Sequence, residues 1–350
     1  MRNKSGELEA LRKVTPSEAR AVRICVDLVS DGPELLKGLA AALEHLTNNG
    51  QKPLLDVTQL HQSSLLRDQP GGPLDPVVRI LTEEPDGQLR LDAELPFTPV
   101  VPLGTDDREL RGYALLRESF DCAFGIRVRA SCPAELAVDR IERCLTGLKT
   151  APEAVELLVD AGFLRRTIPS SECGRLIAGL AARYSFQSIT VLGGSIPAKR
   201  HQLDGGVRPR HEFTLWQQLK AGSLDVRYGD YGIVHPSAAA PAKSGEGRVQ
   251  PNPYLFYTGG RRSRYAFRAM ARDDKRKPLP GEDPGEHFRE VAQEMVGSVE
   301  YEQSATGSWG DRRLEECSRG DVVAKRSQDW IAIGTSHHIA HLAARGDRAA

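Results

Sequence analysis

No Cys-x-x-Cys pair occurs among the six cysteines, Cys25, Cys122, Cys132, Cys144, Cys173 and Cys317, which lie far apart. That leaves a zinc ribbon and a thioredoxin-type redox pair unsupported. No window holds the long apolar run of a membrane helix, and Met1 to Glu7 contains no apolar signal core. An excess of one charge is also lacking. Lys plus Arg and Asp plus Glu both number 47, so no global field draws in DNA or a membrane. These absences predict a soluble, cytoplasmic, reduced protein with no membrane partner, in which Cys25 and Cys122 act as small buried hydrophobes. Walker A and G-x-G-x-x-G spacings are missing too, and no cofactor is assigned.

What is present is a repeating alternation of short apolar runs and amphipathic stretches. Strands are predicted at Ala21–Val29, Pro53–Val57, Phe97–Leu103, Cys122–Arg129, Val155–Asp160, Phe186–Leu192 and Val226–Val234. Helical spacing runs from Pro33 to Thr47, with Leu35, Leu39, Leu43 and Leu46 on one face, and again over Pro133–Leu148, Cys173–Tyr184 and Glu212–Lys220. Pro85-Asp86-Gly87 marks a turn and Ser237–Arg248 a flexible loop. Beyond it, Tyr254–Thr258, Gly259-Gly260 and Tyr265–Arg268 predict a β-hairpin, and Glu286–Val296 a helix. Strands alternating with helices imply parallel pairing through right-handed crossovers. Seven such strands suit either a doubly wound sheet or a (βα)8 barrel. The division expected is 1–240 for the βα repeat and 241–350 for a hairpin and C-terminal segment folding back on it.

Several motifs are familiar together: Lys4-x-Gly6-Glu7, Leu192-Gly-Gly-Ser-Ile-Pro197, Trp216, Tyr228-Gly-Asp-Tyr-Gly-Ile-Val-His-Pro236, Ser308-Trp-Gly-Asp311 and Trp330-Ile-Ala-Ile-Gly-Thr-Ser-His-His338. In order and spacing they resemble the beta protein family, named for a T-even bacteriophage protein and widespread in bacterial genomes. The resemblance implies no established activity; it suggests a link to phage–host conflict or mobile elements by association. Family members begin with an extended apolar segment before the Lys-x-Gly-Glu element, whereas here Met1-Arg2-Asn3 alone precede Lys4. The resemblance therefore implies a first strand that is missing or truncated. Adding it makes eight, which favours a (βα)8, TIM-barrel-like fold with a C-terminal hairpin and helical extension.

Polar residues gather at the predicted C-terminal strand ends: Asp27, Asp56, Arg127, Arg129, Asp160, Ser195, Asp230 and His235. Ligand sites lie at that edge in either architecture. Asp230 and His235 are the candidate acid/base pair, a carboxylate orienting an imidazole, if the strand bends at Gly232 or ends before His235. The bland alternative has His235 capping a loop and Asp230 binding backbone amides. Arg127 and Arg129 share a strand face and are the candidate anion clamp. Gly194 and Ser195 offer close backbone approach, and Tyr231 lies in the same rim stretch. Gly334-Thr335-Ser336 reads as a helix N-cap, whose free N–H groups make Thr335, Ser336, His337 and His338 anion-binding candidates. His337 and His341 then share a helix face, with Asp311 a nearby carboxylate. The Glu of H-E-x-x-H is absent, and core packing outweighs a metal site, so no metal is assigned. Arg261, Arg262, Arg264 and Arg268 among Tyr257, Tyr265 and Phe267 suit nucleic acid in principle, but a solvated hairpin face is the stronger reading. Two functions follow. One is an acid–base enzyme acting on a phosphate-containing small molecule or nucleotide. The other is a non-catalytic binding or sensor protein.

Overall fold

The computed structural model describes residues 1–82, 94–166, 170–198, 203–237, 251–274 and 277–345. The predicted turn Pro85–Gly87 and residues 238–248 of the predicted polar loop lie outside them. Two helices, α1 (Ser5–Leu11) and α2 (Pro16–Ala21), precede β1 (Cys25–Asp27), α3 (Pro33–Asn48), β2 (Leu54–Asp56), α4 (Asp75–Thr82), β3 (Thr98–Pro102) and α5 (Asp107–Phe120). Then come β4 (Phe124–Arg129), α6 (Ala134–Leu148), β5 (Val155–Phe163), α7 (Ser170–Ala181), β6 (Ser188–Gly194), β7 (Gly206–Pro209), α8 (His211–Ala221) and β8 (Arg227–Asp230). The C-terminal part holds β9 (Tyr254–Thr258), β10 (Arg262–Phe267), α9 (Pro284–Val296), α10 (Val299–Ser304), α11 (Trp309–Arg319) and α12 (Ser327–Arg345).

Seven strands form one parallel sheet in the order β1-β2-β3-β4-β5-β6-β8. The closed (βα)8 ring expected from the sequence is not formed, because no backbone ladder joins β8 to β1 among the described residues. Beside β1 stands only a one-residue parallel bridge, Arg2 to Asp27. The fold is thus mixed α/β, a parallel half-barrel sheet with helices and a small antiparallel sheet.

Side-chain alternation divides the strands between two environments. Leu54, Val100, Leu158 and Leu192 meet Tyr231 and Cys25 in a small interior cluster. Their neighbours Val26, Leu55, Val101, Ile126 and Leu157 face the helices in the main core. Each such burial stabilises by about 1.5–3 kcal/mol. Cys122 is buried as expected, whereas Cys25 is half-buried on the interior side. β3 takes a central place despite Pro99 and Pro102, which stand as its second and last residues.

The predicted hairpin forms as β9 and β10, and β7 adds a third antiparallel strand. The hairpin arginines are engaged by helices: Arg264 pairs with Glu294 and Glu300, and Arg268 with Glu290 and Glu294. A second core lies beneath, where Phe288 and Trp330 stack at 5.5 Å among Phe256, Tyr254 and Met295.

The last helix differs from expectation. α12 starts at Ser327, so Gly334, Thr335 and Ser336 are mid-helix, not an N-cap. Their N–H groups are spent inside the helix, which removes the predicted anion-binding helix end. Gly334 suits this place because a Cβ there would come within 2.9 Å of the Phe256 carbonyl on β9. α12 packs on α1, α2, α11 and β9, and its His338 reaches Asp230 at the C-terminal end of β8. Among the described residues, no helix is long and apolar enough to cross a membrane.

Candidate functional site

Arg127, four residues into β4, points into the half-barrel and is almost fully buried. Three strands present carboxylates to it. Its Nη1 donates to Asp27 Oδ1 at 2.9 Å and to Asp56 Oδ2, and its Nη2 donates to Asp160 Oδ2 at 3.0 Å. The Tyr231 hydroxyl accepts from Nη2 and itself donates to Asp160 Oδ1 at 2.6 Å. Arg129, two residues on and therefore on the same face, donates to Asp160 Oδ2 at 2.6 Å. The shared strand face expected for the two arginines is thus observed, and both converge on one carboxylate.

Charge in this nest is balanced from within. Three carboxylates face two guanidiniums. Burial, opposed by Arg127 and reinforced by Asp56, lifts Asp27 above the usual carboxylate range. Burial disfavours the Arg127 cation, but Asp56 and Asp27 outweigh it and hold that guanidinium charged. Burial also pushes the Tyr231 phenol up, so it remains a neutral donor.

Arg127 is also the partition between two cavities. Above it, at the C-terminal ends of β3 and β4, lies a cavity of 400 Å³ faced by Arg67, Arg127, Arg129 and Arg140. Uncharged donors and acceptors from Thr58, Gln62, Thr105 and Ser131 also line it, together with the Glu109 carboxylate. Arg67 is paired with Glu109 at 2.9 Å, and Arg127 is neutralised from behind. Arg129 holds Asp160 through Nη1 at 2.6 Å, so the exposed Arg140 and the remaining donors of the exposed Arg129 are the positive groups the cavity offers. Below Arg127, a cavity of 760 Å³ extends through the interior to the space between β1 and β8.

The predicted Asp230–His235 pair is not made. β8 ends at Asp230 and the chain turns at Gly232, with φ of +66°, yet the two side chains take separate partners. Asp230 accepts from Arg210 Nη2 at 2.9 Å, from Tyr228 at 2.5 Å and from the Gly232 N–H at 2.8 Å. Its imidazole partner is His338, whose Nε2 lies 2.9 Å from Oδ1. His338 Nδ1 lies 2.8 Å from the Thr258 hydroxyl. Burial opposes the charge on Asp230, but His338 and then Arg210 overcome it and hold the carboxyl well below its usual range. His235 is half-buried, lies tilted against Phe163 at 4.9 Å between centroids, and accepts the Ser237 N–H at Nδ1.

The other candidates fall outside the rim cavity. Ser195 caps α8, accepting the His211 N–H at 2.8 Å and donating to Glu212. A Cβ on Gly194 would meet Pro236 at 2.8 Å, so this glycine serves close packing. Ser336 accepts the Gly310 N–H, and Thr335 is buried. His337 Nδ1 contacts Asp311 Oδ1 at 2.9 Å, and Nε2 contacts the Thr258 carbonyl at 2.8 Å. Both ring nitrogens thus face acceptors, and Asp311 serves as a hydrogen-bonding carboxylate. His341 shares that helix face, 5.7 Å from His337 between centroids.

Two features of the site escaped sequence reasoning. Asp27, Asp56 and Asp160 stand at recognised strand ends, but their convergence on one arginine needs the strand order. Arg210, completely enclosed by Tyr228, Asp230 and Glu212, lies just before a helix with no motif to mark it.

A model of one family, described as Beta protein, matches residues 1–344. No curated protein matches the chain. Among solved structures, an uncharacterized B. cereus protein shows 12% identity over 72% of this chain and 65% of its own, with a TM-score of 0.36. A 2-naphthoyl-CoA reductase complexed with 2-naphthoyl-CoA shows 11% identity over 65% of this chain and 41% of its own, with a TM-score of 0.32.

Proposed function

This chain belongs to the Beta protein family, and from that premise we propose that it binds a small anionic ligand, phosphate- or nucleotide-containing, in the cavity at the C-terminal strand rim. One observation carries the reading: four arginines face a single cavity of 400 Å³ at the sheet edge where parallel α/β proteins hold ligands. Arg129 and Arg140 supply the charge, and forked guanidinium donors suit phosphate oxygens. Thr58, Gln62, Thr105 and Ser131 supply orientation through hydrogen bonds. Arg127 is the rigid floor, since its own donors are filled by aspartates.

A non-catalytic binder fits this arrangement better than an acid–base hydrolase. The imidazole–carboxylate pair, His338–Asp230, borders the interior cavity beneath Arg127, not the arginine-lined one above. The six unpaired cysteines support a reducing, cytoplasmic setting. The link to phages and mobile elements rests on family resemblance alone. Calorimetric titration with inorganic phosphate and a panel of nucleotides tests the proposal. Saturable binding to one ligand supports it, and heats no larger than dilution across the panel refute it.

A further inference from the structure

The rim cavity spans the ends of three neighbouring strands, β2, β3 and β4, and its two sides differ in chemistry. On the β4 side stand Arg129 and, on α6, Arg140. On the β2 and β3 side stand Thr58, Gln62, Thr105 and the Arg67–Glu109 ion pair. Acceptors dominate there. The Thr58 hydroxyl donates to Asp56 Oδ1 at 2.5 Å, and the Thr105 hydroxyl donates to the Pro102 carbonyl at 2.6 Å. With their protons committed inside the protein, both hydroxyls have only lone pairs left to offer. Glu109, whose Oε1 accepts from Arg67 Nη1 at 2.9 Å, adds a carboxylate that accepts and never donates.

We infer that the occupant is a sugar or polyol monophosphate, an assignment that rests on the anion-binding reading of this cavity and narrows it. Its phosphate lies against Arg140 and the remaining donors of Arg129. Its hydroxyls lie on the other side and donate to Glu109, Thr58 and Thr105. Neighbouring hydroxyls suit a carboxylate, which has two oxygens to receive them. A second phosphate there would meet the like charge of Glu109. A nucleobase fits less well, because no aromatic ring lines the cavity among the described residues and stacking has no platform. The volume of 400 Å³ is that of a pocket for one small molecule.

The test is calorimetric titration of the full chain, Glu109→Gln and Gln62→Ala with ribose-5-phosphate, glucose-6-phosphate, AMP and inorganic phosphate. At least one sugar phosphate is expected to bind at least tenfold more tightly than AMP and inorganic phosphate. Glu109→Gln is expected to weaken that binding at least tenfold while inorganic phosphate binds as well as before or better, a split that mere loss of structure would not produce. Gln62 is exposed, so Gln62→Ala probes the same wall without disturbing the fold, and a loss confined to the sugar phosphate is expected. AMP or inorganic phosphate binding as tightly as both sugar phosphates overturns the inference and leaves the anion-binding reading standing. Unchanged sugar-phosphate affinity in both variants overturns it as well. Binding of none of the four probes overturns both.

Discussion

His338 on α12 lies 2.9 Å from Asp230 at the end of β8, a contact between residues 108 apart in sequence. Through it the C-terminal helix is tied to the last strand of the parallel sheet. The adjacent His337 ties the same helix to Asp311 on α11, so two consecutive imidazoles hold two different parts of the molecule. His338→Ala removes the partner of a buried carboxylate that retains Arg210. Breaking such a pair costs about 3 kcal/mol or more. Urea denaturation is expected to show that loss, and a value near zero would mean that Arg210 and Tyr228 suffice for Asp230.

The three aspartates around Arg127 are not equivalent. Asp160 accepts from Arg127, Arg129, Tyr231 and the Gly162 N–H, whereas Asp27 is the carboxyl that burial pushes toward its neutral form. Asp27→Asn is therefore expected to change stability by less than about 1 kcal/mol. Asp160→Asn, which disrupts a buried network of two guanidiniums, is expected to cost about 3 kcal/mol. Equal effects in denaturant titrations would contradict the charge assignment.

His341 makes stability depend on mildly acidic pH. Burial first, then the neighbouring His337 and Arg210, lower it from 6.5 to about 3. In that window the unfolded chain binds the proton and the folded chain does not. Stability is therefore lost as pH falls below 6.5, at up to about 1.4 kcal/mol per pH unit. Asp230 and Asp311 are depressed carboxylates and contribute their loss only at lower pH. Raised Glu7 and Asp27 act with the opposite sign, their stabilisation fading as pH rises through their folded values. A comparison of wild type with His341→Gln isolates the histidine. The variant is expected to flatten the slope of unfolding free energy between pH 6.5 and 4, and parallel profiles would contradict this.

Gly310 sits where α11 meets α12. A Cβ there would stand 2.2 Å from the Ile333 carbonyl and 2.8 Å from the His337 nitrogen, both backbone atoms that cannot swing aside. Gly310→Ala is expected to destabilise by about 1–3 kcal/mol despite alanine's better helix propensity. Gly32, whose Cβ would meet nothing within 4 Å, is the control position.

The parallel sheet was legible because its strands are short apolar runs separated by amphipathic helices, and each of the seven appears in the structure. β7 was not legible. Gly206–Pro209 has no apolar alternation and is a strand only because β10 lies beside it. The start of α12 was misplaced for a related reason. Gly334-Thr335-Ser336 has cap chemistry locally, but the close approach of β9 and α11 demands small residues in mid-helix there. Of the site, the pairing of Arg127 with Arg129 follows from alternation, which one strand contains. The partner of Asp230 does not, because choosing between His235 and His338 depends on where a helix over a hundred residues later comes to rest.

The central claim is that Arg129 and Arg140 hold an anion in the rim cavity. The most direct measurement is a calorimetric titration of wild type, Arg129→Ala and Arg140→Ala with whichever phosphate-bearing ligand binds the wild type, at two salt concentrations. The account predicts that each substitution weakens binding at least tenfold and that wild-type affinity falls with salt. Wild-type affinity in both variants would contradict it.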